Sequence, residues 1–591
     1  MDPTLSRPLL QAIALFMLFF LPQLKACEEL PGTGKTSEQY VVQDDLLIKV
    51  DQNTELSLLV VRPRAMTEPL PVALRFTIYA EQDRSLDIAK ACKAAQRGYI
   101  GVIAYARGKH LSRSPIVPYE TEVDDVTAAI NWLAKQAWSD GRVAMYGGSY
   151  EGFSQWAATK RMPKALNTIV PYVAAIPGQG LPMENNVFIS ANYGWPFHVT
   201  NNKYKDDSIY QQQDRWQNFT SNWYKSGKSY RELDSFDQQP NPWFQRWLQH
   251  PSYDSYWQAM VPYQQDFAHI TIPVLTVTGY YDDGQISALQ YLTEHYRYRP
   301  DTEHYLVIGP YDHWTAQSKA ADSLRELAVD PVARIDTAEL TFAWLDYVLK
   351  GKAKPALLQN KINYQLPGSN SWRHVASLQK LNAASQTFYL SAATADKPAM
   401  LTQAKQQQPG AMVTQVDLVD RDSGNSYYPW PIVTKQIEPG TGKLYISEVF
   451  STETEFSGQF SARLDIRTNK KDFDLSVVLY EQQADGRYVH LAYYLGRASY
   501  AKDMTKRQLL TPGQIESIPV VRSRMGSKLL KPGSRLVVLV NVNKNDFAQI
   551  NYGSGKDVST ETIADANEPL TVEWLNSSVV TIPLQQPLAI K

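Results

Sequence analysis

Two cysteines in 591 residues, Cys27 and Cys92, leave no material for a disulfide framework or a cysteine-rich metal site. Charge of either sign is not in excess: 59 Lys and Arg stand against 60 Asp and Glu, a formal net charge of -1. Without a basic field to attract the phosphate backbone, nucleic acid is excluded as a partner. No Cys/His cluster with zinc spacing, no P-loop and no G-x-G-x-x-G after a strand occurs, and nothing in the chain asks for a metal or cofactor. The long apolar run, residues 8–22, is too short and too interrupted for a membrane span. Preceded by Arg7 and followed by Gln23-Leu24-Lys25-Ala26-Cys27, it reads as an export signal, which makes the protein periplasmic or secreted. Ala26-Cys27 is open to two readings: a lipoprotein junction with a lipid on Cys27, which Lys25 fits poorly, or simple cleavage near Ala26. That lipid would be the sole membrane contact. Cys92 is then expected to form no disulfide and to serve as a small apolar core residue.

A chain of this length holds two or three domains. Strand-like runs at 40–50, 55–61 and 70–78 precede a helical pattern at 85–97 that ends at Gly98, then an apolar strand at 99–105. Residues 121–137 have a helical period, with Val126, Ala129, Ile130 and Leu133 on one side and Glu122, Asp124 and Asp125 at the start, where the helix dipole favours acids. This alternation predicts a mostly parallel sheet with helices on both faces. Between 178 and 269 it stops. That stretch is polar and aromatic, with Trp195, Trp216, Trp223, Trp243, Trp247 and Trp257, and predicts a helical cap. Strands at 272–278 and 305–308 and helices at 286–298 and 337–349 resume the α/β pattern. Beyond Lys354, short alternating runs (363–366, 386–390, 444–449, 457–467, 475–481, 488–496, 535–542) predict a β-sandwich or jelly roll. The division is therefore 1–27 signal, 38–177 with 270–354 α/β domain, 178–269 cap and 355–591 β domain.

The segment Val143-Ala144-Met145-Tyr146-Gly147-Gly148-Ser149-Tyr150-Glu151-Gly152 reads as a buried strand turning sharply through a serine into a helix at 153–160. Small neighbours permit such a bend, which assigns Gly147 and Gly152 a steric role. The bend exposes the Ser149 hydroxyl and leaves the Tyr150 N–H at a helix N-terminus, where it can stabilise an oxyanion. Glu151 departs from the strict G-x-S-x-G spacing. A nucleophilic serine needs a base, and the base an orienting carboxylate, in the chain order Ser, Asp, His on loops after later strands. Gly279-Tyr280-Tyr281-Asp282-Asp283-Gly284 and Gly309-Pro310-Tyr311-Asp312-His313-Trp314 fit, giving Asp282 and His313 as candidates. Asp283 competes with Asp282 for the role; both are also ordinary turn formers.

These motifs resemble those of acyl esterases of the group containing cocaine esterase, α-amino-acid ester hydrolases, glutaryl acylases and Xaa-Pro dipeptidyl peptidases. Tyr105-Ala106-Arg107-Gly108, Gly148-Ser149-Tyr150-Glu151-Gly152-Phe153, His250-Pro251-Ser252-Tyr253-Asp254, the Asp282 and His313 loops and Phe473-Asp474-Leu475-Ser476-Val477 carry the likeness. It implies an α/β hydrolase fold with an inserted helical cap and a C-terminal β-sandwich or jelly-roll domain. It further implies a Ser149–His313–Asp282 triad, an oxyanion site of Tyr79 hydroxyl and Tyr150 N–H, and cleavage of small acyl esters, amides or short peptides. One departure concerns the acidic residues with which the amino-acid ester hydrolases hold an ammonium group: Asp283-Gly284-Gln285 lacks the pair. Glu184, Asp206, Asp207 and Asp214 remain as carboxylates of the cap, read mainly as solvated surface. A serine esterase or amidase is expected, with a dipeptidyl peptidase as the alternative. Outside enzymes, the alternative is a relict hydrolase that binds through its β domain.

Overall fold

The computed structural model describes residues 39–585 apart from 210 and 394–397; residues 1–27, read from the sequence as an export signal, lie outside the described residues. A ten-stranded sheet forms the centre of the α/β part. In chain order its strands are β1 (Tyr40–Lys49), β2 (Glu55–Pro63), β3 (Leu70–Thr77), β4 (Ile100–Tyr105), β5 (Ser139–Gly148), β6 (Leu166–Tyr172), β7 (Val274–Tyr281), β8 (His304–Asp312), β9 (Ile362–Leu366) and β10 (Ser371–Val375). Across the sheet they run β1-β2-β4-β3-β5-β6-β7-β8-β9-β10. Pairing is parallel from β4 to β9 and antiparallel at both ends, and β1 slips register between Gln43 and Leu46.

Five helices cover the sheet: α1 (Arg84–Ala95), α2 (Glu122–Leu133), α3 (Tyr150–Arg161), α6 (Gln285–Tyr298) and α7 (Thr337–Lys350), the labels α4 and α5 being kept for the cap helices Trp195–Thr200 and Gln213–Ser226. Successive strand residues point to opposite faces. Leu74, Met145, Ile169 and Leu306 join the core beneath α2, α3 and α6, whereas Ala73, Ala144, Val170 and Val307 join the core beneath α1 and α7. Burial on both sides explains why these strands read as unbroken apolar runs. Caps set the helix limits: the Asp336 carboxylate accepts from the N–H groups of Ala338 and Glu339, and α7 stops at Gly351 in the left-handed region.

The cap opens with a small hairpin (Met183–Glu184 with Val187–Phe188) and continues through α4, α5 and short helices at Leu233–Asp237, Pro242–Trp247 and Ser255–Gln258. Trp216, Trp223, Trp247 and Trp257 are buried in it, so most of its aromatic content is core. Trp195 and Trp243 stay half-buried.

The C-terminal part is a β-rich domain whose strands form one fourteen-stranded assembly. Two differences from the sequence reading concern its strands. Residues 362–366 and 371–375, assigned by the division at 354/355 to the C-terminal domain, belong to the α/β sheet, where Leu306–Ile308 align parallel with Ile362–Tyr364. A four-residue alternating run, 363–366, states that a strand exists but not which sheet it joins. The single run at 457–467 is two strands, Thr454–Gln459 and Ser461–Thr468, which change partner at Phe460: the first pairs with Met525–Leu530, the second with Ile515–Val520. Among the described residues no helix is long and apolar enough to cross a membrane.

Candidate active site

β5 ends at Gly148 and α3 begins at Tyr150, two residues later and three earlier than the helical pattern suggested. Ser149 alone makes the turn, with φ 59° and ψ −119°. Such a conformation costs a non-glycine residue about 1–3 kcal/mol and persists only where the surroundings enforce it. Those surroundings are tight. A Cβ on Gly147 (φ 140°) would lie 2.3 Å from Glu151 Oε2, and one on Gly152 would lie 2.8 Å from Ala174 Cβ. Glu151, the residue that breaks the usual spacing, accepts from Arg75 Nε and Nη2 on β3 at 3.0 and 2.7 Å, bracing the turn from below. Ser149 itself is half-buried.

Asp282, fully buried after β7, accepts from three donors. Thr278 Oγ1 donates to Oδ2 at 2.6 Å, and Gly284 N–H and His313 Nδ1 donate to Oδ1, both at 2.9 Å. With Nδ1 donating to a carboxylate, the neutral ring keeps Nε2 as its free acceptor. Burial drives the His313 imidazolium toward deprotonation. The hydrogen bond to Asp282 and the charges of Asp282, Asp283 and Asp312 outweigh it, and the pKa stands above the ordinary 6.5. Of the two adjacent aspartates, Asp283 directs its carboxylate elsewhere, accepting from Tyr428 Oη at 2.9 Å. Asp312 shapes the histidine loop, accepting from the N–H groups of Trp314 and Thr315. Gln317 joins this loop to the serine turn: its Nε2 donates to the His313 carbonyl at 2.7 Å, and its Oε1 would lie 2.0 Å from a Cβ on Gly148.

Tyr79 follows β3, packs edge-on against Tyr150 with ring centroids 6.1 Å apart, and accepts at its hydroxyl from Trp195 Nε1 at 3.0 Å. Burial pushes its pKa up to about 12 against the opposing hydrogen bonds with Trp195 and Ser149, so it stays a neutral phenol beside the serine. The structure thus brings Ser149, Tyr79 and Tyr150 together, and pairs Asp282 with His313.

Several charged residues are buried. Glu122 and Asp125 stand in the first turn of α2, as read from the sequence, and both are buried there. Asp125 takes Arg107 at 2.8 Å, and Glu122, raised to about 8 by burial, accepts from the Tyr150 hydroxyl. Glu184 is likewise buried, paired with Arg524 at 2.8 Å, whereas Asp214 is exposed and Asp207 pairs with Lys205 at 3.1 Å. Lys109, which no motif singled out, is buried and donates to the carbonyls of Val199, Asn202 and Tyr204 at 2.8–3.2 Å. Arg524 donates to the Asp282 carbonyl as well as to Glu184. These residues were missed because nothing in a linear sequence separates a buried charge from an exposed one. No group of three His, Cys, Asp or Glu that could hold a metal ion occurs among the described residues.

An α/β hydrolase sheet with a strained serine turn after its central strand and a buried Asp–His pair on the later strands defines a serine hydrolase. The family model for X-Pro dipeptidyl-peptidase (S15 family) matches residues 51–315, and that for the X-Pro dipeptidyl-peptidase C-terminal non-catalytic domain matches 356–571. The chain belongs to this family of serine hydrolases, to which the acyl esterases related to cocaine esterase also belong. It is 24% identical to the cocaine esterase of Rhodococcus sp. (strain MB1 Bresler) over 563 residues, 89% of this chain and 95% of that protein. Its fold is that of an α-amino acid ester hydrolase (TM-score 0.77, 19% identity, 95% of this chain and 100% of the other). An aminopeptidase from the marine sediment archaeon Thaumarchaeota archaeon shares it too (TM-score 0.75, 18% identity, 94% and 98%).

Proposed function

We propose that the protein cleaves ester or amide bonds of small acyl substrates through an acyl-enzyme. Ser149 Oγ attacks the carbonyl carbon, and its proton passes to His313 Nε2 while the carbonyl π electrons move onto oxygen. The oxyanion is met by the Tyr79 hydroxyl and the Tyr150 N–H, the latter at the N-terminus of α3, where the first N–H groups have no partner within the helix. Collapse expels the leaving group, protonated by His313, and water repeats the cycle on the acyl-serine. Asp282 holds the imidazole in the tautomer this requires. The observation that carries the reading is the His313–Asp282 hydrogen bond on loops that follow, in chain order, a strained and accessible Ser149. A fluorophosphonate probe tests it: wild type becomes labelled and Ser149→Ala does not. An unlabelled, folded wild type overturns it and leaves the binding-protein reading.

A preference for simple acyl groups over N-terminal dipeptides is supported by two local features. Gln285, where an acid would serve an ammonium group, uses its amide on the carbonyls of Gly279, Tyr280 and Met525 and on the Met525 N–H. Glu184 faces the Arg524 guanidinium, which neutralises it. Hydrolysis of p-nitrophenyl acyl esters is expected to exceed that of Gly-Pro and Ala-Pro anilides by at least tenfold in kcat/KM, an order-of-magnitude expectation for a missing charge partner. The reverse order makes the protein a dipeptidyl peptidase. Export is part of this proposal and rests on residues 1–27 alone; fractionation together with radiolabelled palmitate separates a Cys27 lipoprotein from a cleaved soluble form.

A further inference from the structure

The oxyanion site extends into the cap. Trp195 is the first residue of α4, half-buried and stacked on Tyr119 with ring centroids 4.9 Å apart, and its indole N–H reaches Tyr79 Oη at 3.0 Å. An indole nitrogen only donates, so in this bond the Tyr79 oxygen is the acceptor. A phenolic O–H prefers to lie in the plane of its ring, which leaves two orientations. The one that turns its proton toward Trp195 would set two hydrogens against each other. The other turns it away from the cap, toward Ser149. An accepted hydrogen bond also polarises a hydroxyl and strengthens the bond it donates in turn.

We propose that Trp195 is a positioning residue for the oxyanion site: by donating to Tyr79 Oη it fixes the direction in which Tyr79 offers its own proton. This rests on the reading of Tyr79 as oxyanion donor given above. The element that carries Trp195 is anchored for the task. Lys109, from the loop after β4, fits its three ammonium protons to the carbonyls of Val199, Asn202 and Tyr204, in and just beyond the last turn of α4. The Tyr79 ring is held between Tyr150 on α3 and His198 on α4, with centroids 6.1 and 6.0 Å away. The cap and the α/β domain therefore meet at the hydroxyl that would donate to the developing oxyanion, and the orientation of Tyr79 depends on the cap being seated.

Steady-state kinetics with p-nitrophenyl butyrate on Trp195→Phe, Tyr79→Phe and the double variant tests this. Tyr79→Phe is expected to lower kcat by about 10²–10³-fold, the effect of losing an oxyanion donor. Trp195→Phe is expected to lower kcat roughly tenfold, a fraction of that effect, with KM within about twofold, and to cause no further loss in the Tyr79→Phe background. A Trp195→Phe variant with full kcat, a loss confined to KM, or equal losses in both backgrounds overturns the positioning role. Full kcat in Tyr79→Phe overturns the Tyr79 reading itself, which keeps the two failures distinct. Should Trp195→Phe fold poorly, β-(3-benzothienyl)alanine at position 195 preserves ring shape without the N–H. It is expected to reproduce the kcat loss, and full activity there overturns the proposal.

Discussion

Asp282 and Asp283 are neighbours of the same chemistry, yet their carboxylates face different partners, one His313 and the other Tyr428. Asp282→Asn is expected to lower kcat by about 10⁴-fold by losing the orienting carboxylate, whereas Asp283→Asn retains kcat within about tenfold and loses roughly 1 kcal/mol of stability with the Tyr428 bond. Rate assays and urea denaturation of the two variants check this. The pH profile follows from the same loops. The base acts when neutral and its pKa is raised, so kcat/KM climbs with pH along an acid limb centred above 6.5. Because the Asp283 charge contributes to that rise, Asp283→Asn shifts the limb toward lower pH, as a pH–rate profile will report. At this scale the sequence was legible where chain order narrows the choice: Ser149, Asp282 and His313 could be proposed as a triad from their places after β5, β7 and β8, and the structure shows the His313–Asp282 bond. Glu122 and Arg524 could not, since their roles depend on burial created by segments far away in the chain.

At the scale of elements, β8 and α6 meet through two buried histidines. His295 Nδ1 and His304 Nδ1 lie 3.1 Å apart, and the outer nitrogens reach Thr302, the Ile270 carbonyl and Thr276, with Trp156 packed on both rings. Burial holds His295 down at about 4 and His304 well below its usual value, with Arg299 and Lys361 the nearby cations. In the unfolded chain both take up protons near 6.5. Their contribution to stability is therefore complete above that pH and is lost as pH falls from 6.5 toward 4. Urea midpoints are expected to drop across this interval, and His304→Asn to flatten the slope. Nothing in the sequence marks either ring as buried. Helices α1, α6 and α7 were readable from period and caps, with limits displaced by one or two residues. The strands Leu570–Leu575 and Val579–Gln585 were missed although they carry the same alternation, with Asn576-Ser577-Ser578 turning the chain between them.

For the whole molecule, the C-terminal domain is built into the candidate site beside it. Arg524 donates to the Asp282 and Asp283 carbonyls and to Glu184, Tyr428 donates to Asp283, and Met525 shares two bonds with Gln285. Arg524→Met, leaving Glu184 buried without its partner, is expected to cost about 3–5 kcal/mol. Adding Glu184→Gln recovers part of that loss, because no charge is then stranded; thermal unfolding of the single and double variants checks it. The sequence showed that a β-rich part begins near 355, where the C-terminal family model also begins, but not that its first two strands extend the ten-stranded sheet, since pairing partners are a property of three-dimensional proximity. The register slip in β1 has its own consequence. β1 and β10 are the outer strands of the ten, and an unpaired outer strand is a template for another chain. β1 breaks its ladder at the Asp44-Asp45 bulge, with Asp44 drawn aside to Arg84 at 2.7 Å, and β10 carries Arg373 and His374 in its middle. Irregular backbone at one margin and the Arg373 charge at the other thus work against intermolecular strand addition, the route by which a sheet this wide would otherwise grow into an aggregate.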